Sequence, residues 1–359
     1  MNTDFVKART QGAIGILTLD RPNALNALDQ PMCLAIDTAL TAWATDDAVA
    51  AVVIHGSTER AFCAGGDVRM VREDGLAWKQ GESDGRLGRE FFRDEYRMNR
   101  RIQTFPKPYI ALIDGVTMGG GVGLSIHGSH RVATERTLLA MPETNIGLFP
   151  DVGASYALSR LPGEIGTYLG LTGARLRAGD LLELGIATHI VGGNRMVACR
   201  EDLLATVGHI NTLDSIEQVL RHYRSPPSPM DVMPRQPLID RCFGHDRVED
   251  IMAALDANSD PFATHAAAAL RTMSPTSLKL TLKELRKGRS MTFDECMVME
   301  YRLSQSILAG GDFYEGVRAQ LVDKDRDPRW YPTTLDAVDD SAIDSLFLPP
   351  LHGDLTFPT

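Results

Sequence analysis

Three consecutive glycines and two acidic residues that follow them are the part of the sequence best suited to chemistry. The glycines are Gly119 to Gly121, and the acids are Glu143 and Asp151, each directly after a proline. A glycine-rich turn that opens a helix leaves backbone N–H groups free to bind an anion or a developing oxyanion. Two carboxylates in unequal environments can divide the tasks of attack and proton transfer. Free amides together with carboxylates suit acyl chemistry.

A second glycine loop, over residues 62–67, stands in a similar place along the chain. The apolar runs 50–55 and 109–114 each lead to a glycine loop, the first to 62–67 and the second to 118–121. This weak internal repeat predicts two loops that direct one amide each at the same oxygen. The alternative is that the glycines only permit tight turns or close packing. Neither the dinucleotide nor the P-loop fingerprint fits the triple glycine, which disfavours a nucleotide-phosphate site.

Each acidic residue also has a purely structural interpretation. Asp151 precedes a short helical segment and could be its N-cap, the more common role of an aspartate in that position. Glu143 follows the β-like run 137–141 and could be a turn carboxylate paired with an arginine.

His127 and His130 are three residues apart, but no cysteine or carboxylate cluster near them completes a metal site. We therefore predict that the protein binds no metal.

The elements that must position these residues alternate between strands and helices over the first part of the chain. The run 12–19 predicts a strand, and Asp29 predicts the N-cap of the helix that follows. Beyond residue 200 helical periods dominate, and a proline-rich stretch occupies 225–237. We expect an α/β core over 1–200 that carries the site, followed by a mainly helical region over 201–359.

The composition limits the classes of partner. The chain of 359 residues carries a formal net charge of −10, which argues against a general surface for nucleic acid or anionic membranes. A phosphate-bearing ligand would need a local basic patch, for which Lys107, Lys324 and Arg326 are candidates. The five cysteines are widely spaced, which favours reduced thiols. The sequence has no secretory signal and no apolar run of about 20 residues, so we expect a cytoplasmic protein without a membrane partner.

The motifs at 62–67 and 119–121, together with the acidic motif at 142–143 and its following Gly147 and Pro150, resemble the crotonase (enoyl-CoA hydratase/isomerase) superfamily. The likeness in order and spacing covers residues 10–200. Further segments resemble the 3-hydroxyisobutyryl-CoA hydrolase branch; they are 92–96, 146–153, 313–319, 323–325 and 328–330. The resemblance implies an α/β fold, a crotonase-like spiral of repeated ββα units with a helical C-terminal region.

The resemblance also implies roles for individual residues. The two oxyanion-hole amides would belong to Ala64 and Gly120, the catalytic carboxylates would be Glu143 and Asp151, and Glu95 would hold the substrate hydroxyl group. For Glu95 the alternative is a solvated charge on its helix. The other residues expected to contact substrate are Gly65, Gly66, Asp67, Gly119 and Gly121.

One departure from the family pattern bears on the reaction. Hydratases of the superfamily carry a second glutamate three residues after the middle glycine of the triple run, where this chain has Gly123. The resemblance therefore implies hydrolysis of an acyl-CoA thioester, with 3-hydroxyisobutyryl-CoA of valine breakdown as substrate. Glu143 would either activate water or attack the carbonyl directly. Coenzyme A would be part of the substrate, with no separate cofactor, and the chain could form homotrimers or hexamers. The alternatives are an enoyl-CoA isomerase or hydratase and a non-catalytic acyl-CoA binding protein.

Overall fold

The computed structural model describes residues 5–208, 210–226 and 228–357. The β-strands are β1 Val6–Gln11, β2 Ile14–Leu19, β3 Ala51–Gly56, β4 Ala61–Cys63, β5 Tyr109–Ile113, β6 Val116–Met118, β7 His130–Ala133, β8 Leu138–Ala140 and β9 His189–Ile190. The first nine α-helices are α1 Gln30–Thr45, α2 Val68–Lys79, α3 Arg86–Gln103, α4 Gly120–Gly123, α5 Ala154–Ala157, α6 Ile165–Thr172, α7 Ala178–Glu183, α8 Met196–Thr206 and α9 Thr212–His222. The others are α10 Gln236–Phe243, α11 Val248–Asp256, α12 Pro261–Thr272, α13 Pro275–Gly288, α14 Phe293–Ala309, α15 Asp312–Val317 and α16 Asp340–Ser345.

From β3 onwards, successive strands alternate between two sheets. One sheet has the order β1-β2-β3-β5-β7-β9, and the other has the order β4-β6-β8. Except for the antiparallel pair β1-β2, all the strand pairs of both sheets are parallel. The first two strands both join the larger sheet before α1, and after α1 the chain adds strands to the two sheets in turn, with helices between the successive pairs. This arrangement confirms the predicted spiral of ββα units.

Buried apolar side chains explain why the predicted strands form. Strand β5 is buried at every position and β3 over its first four residues, as the continuous apolar runs of a covered parallel sheet require. Ile16, Val53 and Leu112 of three neighbouring strands share a core with Leu203 of α8 and Leu220 of α9. The helix predicted after Asp29 is also confirmed: its carboxylate accepts the Met32 N–H and caps α1.

The described residues form two compact units, neither of which is continuous in sequence; the bounds below refer to described residues only. The first consists of residues 1–66, 97–140 and 175–234 and contains both sheets. The second consists of residues 67–96, 141–174 and 235–359 and is helical, with α13 packed against α6 and α14 against α5. The predicted division at residue 200 does not coincide with these units, because 67–96 and 141–174 pack with the C-terminal helices.

The C-terminal region is mainly helical, as the sequence indicates. The described residues after Ile190 contain α-helices and short helical turns but no strand. Most of the proline-rich stretch 225–237 lies outside α-helices, and Pro227 lies outside the described residues. Within the described chain, no helix is long and apolar enough to cross a bilayer.

Candidate active site

The two glycine loops lie side by side in the first unit. Strands β4 and β6 run parallel, with Cys63 opposite Thr117, so both loops leave the same edge of the small sheet. A Cβ on Gly121 would come within 2.2 Å of the Cys63 carbonyl oxygen, which makes glycine necessary for this close approach. The Cβ position of Gly65 is 3.8 Å from the amide nitrogen of Gly120. The predicted pairing of the loops is therefore present.

The geometry corrects the choice of one amide donor. The N–H of Ala64 donates to the Leu25 carbonyl oxygen at 3.0 Å, so it is already engaged in holding the loop. Gly66 lies two residues after Ala64 and forms an isolated parallel bridge with Leu28. In this bridge the Leu28 N–H donates to the Gly65 carbonyl oxygen at 2.8 Å, so the N–H of Gly66 itself is not used. Within the described chain the N–H groups of Gly66 and Gly120 have no hydrogen-bond acceptor. These two amides can bind an oxyanion, and that of Ala64 cannot.

Of the other glycine-loop residues, Asp67 has a clear structural role. Its side chain accepts the Met70 N–H and forms the N-cap of α2. Gly119 precedes α4 with a φ of 46°, and Gly120 and Gly121 are buried in the first turn. Contact of Asp67, Gly65, Gly119 or Gly121 with substrate stays a prediction.

Glu143 begins a short 3-10 turn in the second unit, three residues after the end of β8, as the sequence predicts. The N–H groups of Gly147 and Leu148 both donate to its backbone carbonyl. Gly147 has a φ of 68°, and a Cβ there would lie 2.3 Å from the Asp312 backbone, so the turn packs directly on α15. The Glu143 side chain is only 6% exposed, and its Oε2 has no hydrogen-bond partner in the described chain. Among the residues that the structure describes, no arginine forms an ion pair with Glu143, so the alternative of a turn carboxylate paired with arginine is not observed there.

Asp151 is not an N-cap. Helix α5 begins at Ala154 with Gly153 as N-cap and without a side-chain cap, whereas the Asp151 carboxylate accepts the Tyr96 hydroxyl at 2.8 Å. Asp151 is 4% exposed, and burial raises its pKa to about 7 although the Tyr96 hydrogen bond lowers it. A carboxyl that titrates near neutrality is suited to proton transfer.

Glu95 lies on α3, one residue before Tyr96, and is buried rather than solvated. It is 2% exposed, and its Oε1 has no hydrogen-bond partner among the described residues. Burial, with a further contribution from the Asp151 charge, raises its pKa well above the usual range. The pKa of Glu143 is also raised well above its usual range, by burial first and then by the charges of Asp151 and Glu95. These three acids thus form one interacting group.

Sequence reasoning missed two further acids of this group, Glu284 on α13 and Glu300 on α14. Both are fully buried, and burial raises the pKa of each, that of Glu300 to about 8. Glu300 accepts hydrogen bonds from the N–H groups of Gly153 and Ser155, shortly after Asp151 in the chain. Neither oxygen of Glu284 has a hydrogen-bond partner in the described chain. A lone acid at an apolar position of an amphipathic helix was the available signal.

The three basic candidates for a phosphate-bearing ligand have different surroundings. Lys107 donates hydrogen bonds to the carbonyl oxygens of Trp43 and Asp46, and these bonds stabilise the C-terminal end of α1. Lys324 and Arg326 are exposed on a loop whose aspartates at 323 and 325 bind Arg318. The two latter residues therefore remain candidates.

The chain belongs to the enoyl-CoA hydratase/isomerase family, whose model matches residues 14–347. This result confirms the family that the sequence motifs indicate. A substrate of the acyl-CoA class fits this family. Similar proteins and structures extend the likeness over almost the whole chain.

The 3-hydroxyisobutyryl-CoA hydrolase of Gallus gallus mitochondria is 46% identical over 98% of this chain and 90% of its own. The mitochondrial human protein of that name is 43% identical over 97% of this chain and 89% of its own. Among solved structures, a carnitinyl-CoA dehydratase from Mycobacterium thermoresistibile has a TM-score of 0.91 and 38% identity, with 99% of both chains covered. An enoyl-CoA hydratase from Rhodobacter sphaeroides has a TM-score of 0.88 and 40% identity over 99% of this chain and 100% of its own.

The expectation of a cytoplasmic location is wrong by this comparison. The vertebrate relatives are named as mitochondrial enzymes.

Proposed function

We propose that this protein is an enzyme that hydrolyses 3-hydroxyisobutyryl-CoA to 3-hydroxyisobutyrate and coenzyme A in valine breakdown. The observation that carries the proposal is the retention of Glu143 and Asp151 as buried, interacting carboxyls while position 123 is a glycine. Hydratases of this superfamily use two glutamates to add water across a double bond, and this chain has Gly123 in place of the second glutamate. The hydrolase names of the relatives at 43–46% identity agree with this choice.

The amides of Gly66 and Gly120 bind the thioester oxygen in this mechanism. When water attacks the carbonyl carbon, the oxygen becomes an oxyanion, and two free N–H donors stabilise that charge more than they stabilise the neutral carbonyl. Because both donors belong to the backbone, their positions are fixed before the reaction. Loss of one such donor typically costs about 10²–10³ in turnover.

Glu143 acts as general base. It takes a proton from water as the water oxygen bonds to the carbonyl carbon, and a carboxyl with a raised pKa is a stronger base than an ordinary one. The tetrahedral intermediate then collapses, the carbon–sulfur bond breaks, and the proton passes to the departing sulfur. Asp151, with a pKa of about 7, orients Glu143 and assists this transfer. The products are a carboxylate and a thiol.

Glu95 and the loop that carries Lys324 and Arg326 account for recognition of the two ends of the substrate. A buried Glu95 with a free oxygen can accept or donate a hydrogen bond to the 3-hydroxyl group. Lys324 and Arg326 present exposed cations to the phosphates of coenzyme A. We also propose a homotrimer or homohexamer, which sedimentation velocity would test; a monomer at assay concentration would refute it.

Replacement of the two acids tests the proposal. Glu143→Gln and Asp151→Asn should each fold and lose release of free coenzyme A, because neither amide can carry the proton. Free thiol is measured with 3-hydroxyisobutyryl-CoA as substrate, and circular dichroism verifies the fold. Near-wild-type hydrolysis by either variant would refute the role of that residue. A covalent intermediate trapped on Glu143 would replace the general-base role with direct attack.

The names of two similar solved structures, a carnitinyl-CoA dehydratase and an enoyl-CoA hydratase, favour one competing function, the hydration of an enoyl-CoA. Crotonyl-CoA distinguishes it, since hydration removes the enoyl absorbance without releasing thiol. Faster loss of enoyl absorbance from crotonyl-CoA than thiol release from 3-hydroxyisobutyryl-CoA would refute hydrolysis as the main activity. Binding of both thioesters without turnover would instead indicate a binding protein.

A further inference from the structure

Glu300 connects α14 to the segment that carries Asp151. Its Oε2 accepts the Gly153 N–H at 2.7 Å, and its Oε1 accepts the Ser155 N–H at 3.0 Å and the Ser155 hydroxyl. Glu300 and Ser155 are fully buried, so water does not compete for these bonds. One carboxyl thus accepts three hydrogen bonds from a segment that is about 145 residues away in the chain.

The segment that Glu300 holds has an unfavourable backbone conformation. Val152 has a φ of 55°, which is a genuine outlier for a β-branched residue, and Gly153 follows with a φ of 85°. Such conformations persist only when the surroundings stabilise them. Helix α5 has no side-chain N-cap of its own. Glu300 supplies from another helix the acceptors that an N-cap residue would supply locally.

We propose that Glu300 is a positioning residue that fixes the segment 151–155 and thereby directs the Asp151 carboxylate. The proposal rests on the proposed function, because Glu300 acts through Asp151. Its own oxygens are engaged by the donors of the segment. Tyr96 holds the Asp151 side chain from one direction, and Glu300 holds the backbone next to it from another.

Replacement of Glu300 by glutamine tests the proposal, because the two side chains have the same shape. Both oxygens of Glu300 accept from N–H groups, whereas glutamine can accept with only one of its end groups and sets an NH₂ against the other N–H. We expect kcat of Glu300→Gln to fall by about 10²-fold, the scale of a small misplacement of a catalytic group, while KM changes little. Amide exchange at Gly153 and Ser155, measured without substrate, should become faster.

Asp180→Asn is the matched control. It makes the same kind of substitution at another buried acid, which also accepts three backbone N–H groups, those of Asp231, Val232 and Met233, but has no hydrogen bond to segment 151–155. The control should keep the wild-type kcat and the wild-type exchange at Gly153 and Ser155. An equal loss of kcat in both variants would overturn a specific role for Glu300.

Other outcomes are also decisive. If Glu300→Gln keeps wild-type kcat and exchange, the proposal is wrong. If that variant fails to fold, Ser155→Ala removes only the hydroxyl donor, and it should lower kcat and speed exchange to a smaller extent; wild-type values there would overturn the proposal. Because amide exchange is measured without substrate, it tests the positioning role of Glu300 separately from the proposed function. A wild-type protein that releases no coenzyme A refutes the function and leaves the positioning role to be judged by exchange.

Discussion

Asp151 receives a hydrogen bond from the buried Tyr96 hydroxyl, and this contact opposes the effect of burial on its titration. Burial favours the neutral carboxyl, whereas a donor favours the ionised one. The balance places the pKa at about 7. Activity that depends on ionised Asp151 should therefore decline as the pH falls below neutrality. Because Asp151, Glu143 and Glu95 interact, the profile reports the group of acids as a whole.

Tyr96→Phe removes the donor without changing the ring. The pKa of Asp151 should rise, so kcat/KM should fall severalfold more at pH 6 than at pH 9 relative to wild type. The measurement is the pH profile of thiol release. Tyr314→Phe is a control, since it deletes a buried hydroxyl that donates to the Leu308 carbonyl. An unchanged profile for Tyr96→Phe, or an equal shift in the control, would contradict the role of this hydrogen bond.

At the scale of the elements, the two glycine loops depend on contact between their backbones. Helix α4 approaches β4 so closely that a Cβ added to Gly121 would lie 2.2 Å from the Cys63 carbonyl oxygen. Only the hydrogen of a glycine fits in this space. Any side chain there must separate the loops, and the proposed donors Gly66 and Gly120 belong one to each loop. The distance between these donors is therefore set by packing.

Gly121→Ala should lower kcat by about 10²–10³, the loss expected when one oxyanion donor is displaced. Gly208→Ala is the matched control in the same unit, because nothing lies within 4 Å of a Cβ at that position. Thiol release measures the effect, and thermal unfolding shows how much stability each variant loses. Wild-type turnover in Gly121→Ala would mean that the oxyanion does not depend on the spacing of these loops.

At the scale of the whole molecule, a set of buried acids among the described residues binds protons more tightly in the folded chain than in the unfolded chain. They include Glu95, Glu143, Asp151, Glu284 and Glu300. An acid whose folded pKa is raised contributes full stability below its unfolded pKa, and this contribution is lost as the pH rises towards the folded value. Each proton held only by the folded state costs about 1.4 kcal/mol of stability per pH unit.

The melting temperature of the wild type should therefore fall between pH 7 and pH 9. Glu284→Gln removes one of these acids at a position without hydrogen bonds, so its melting temperature should exceed that of the wild type at pH 9 and approach it at pH 5. Calorimetric unfolding over this pH range measures both. A difference that is constant with pH would show that Glu284 is not a proton-binding group of the folded state.

The sequence predicted several of the longer elements, but it missed strand β1, helix α2 and some of the short strands. The strand at 12–19, the buried strands near 50–55 and 109–114, and the helix capped by Asp29 are all present. The strands β4, β6 and β9 have two or three residues, too few for periodicity to be recognised. Pairing with neighbours from distant parts of the chain is what makes them strands.

The sequence by itself determined the two glycine loops, the acids at 143 and 151, the glycine at 123 and, through these motifs, the family. Only the tertiary structure decided that the Ala64 amide is engaged by Leu25 while that of Gly66 is free, and that Asp151 binds Tyr96 instead of capping a helix. It also brought Glu300 to the Asp151 segment. The reason is physical: residue types and spacing fix which groups can do chemistry, but hydrogen-bond partners and burial come from residues far away in the chain, and these set both availability and pKa.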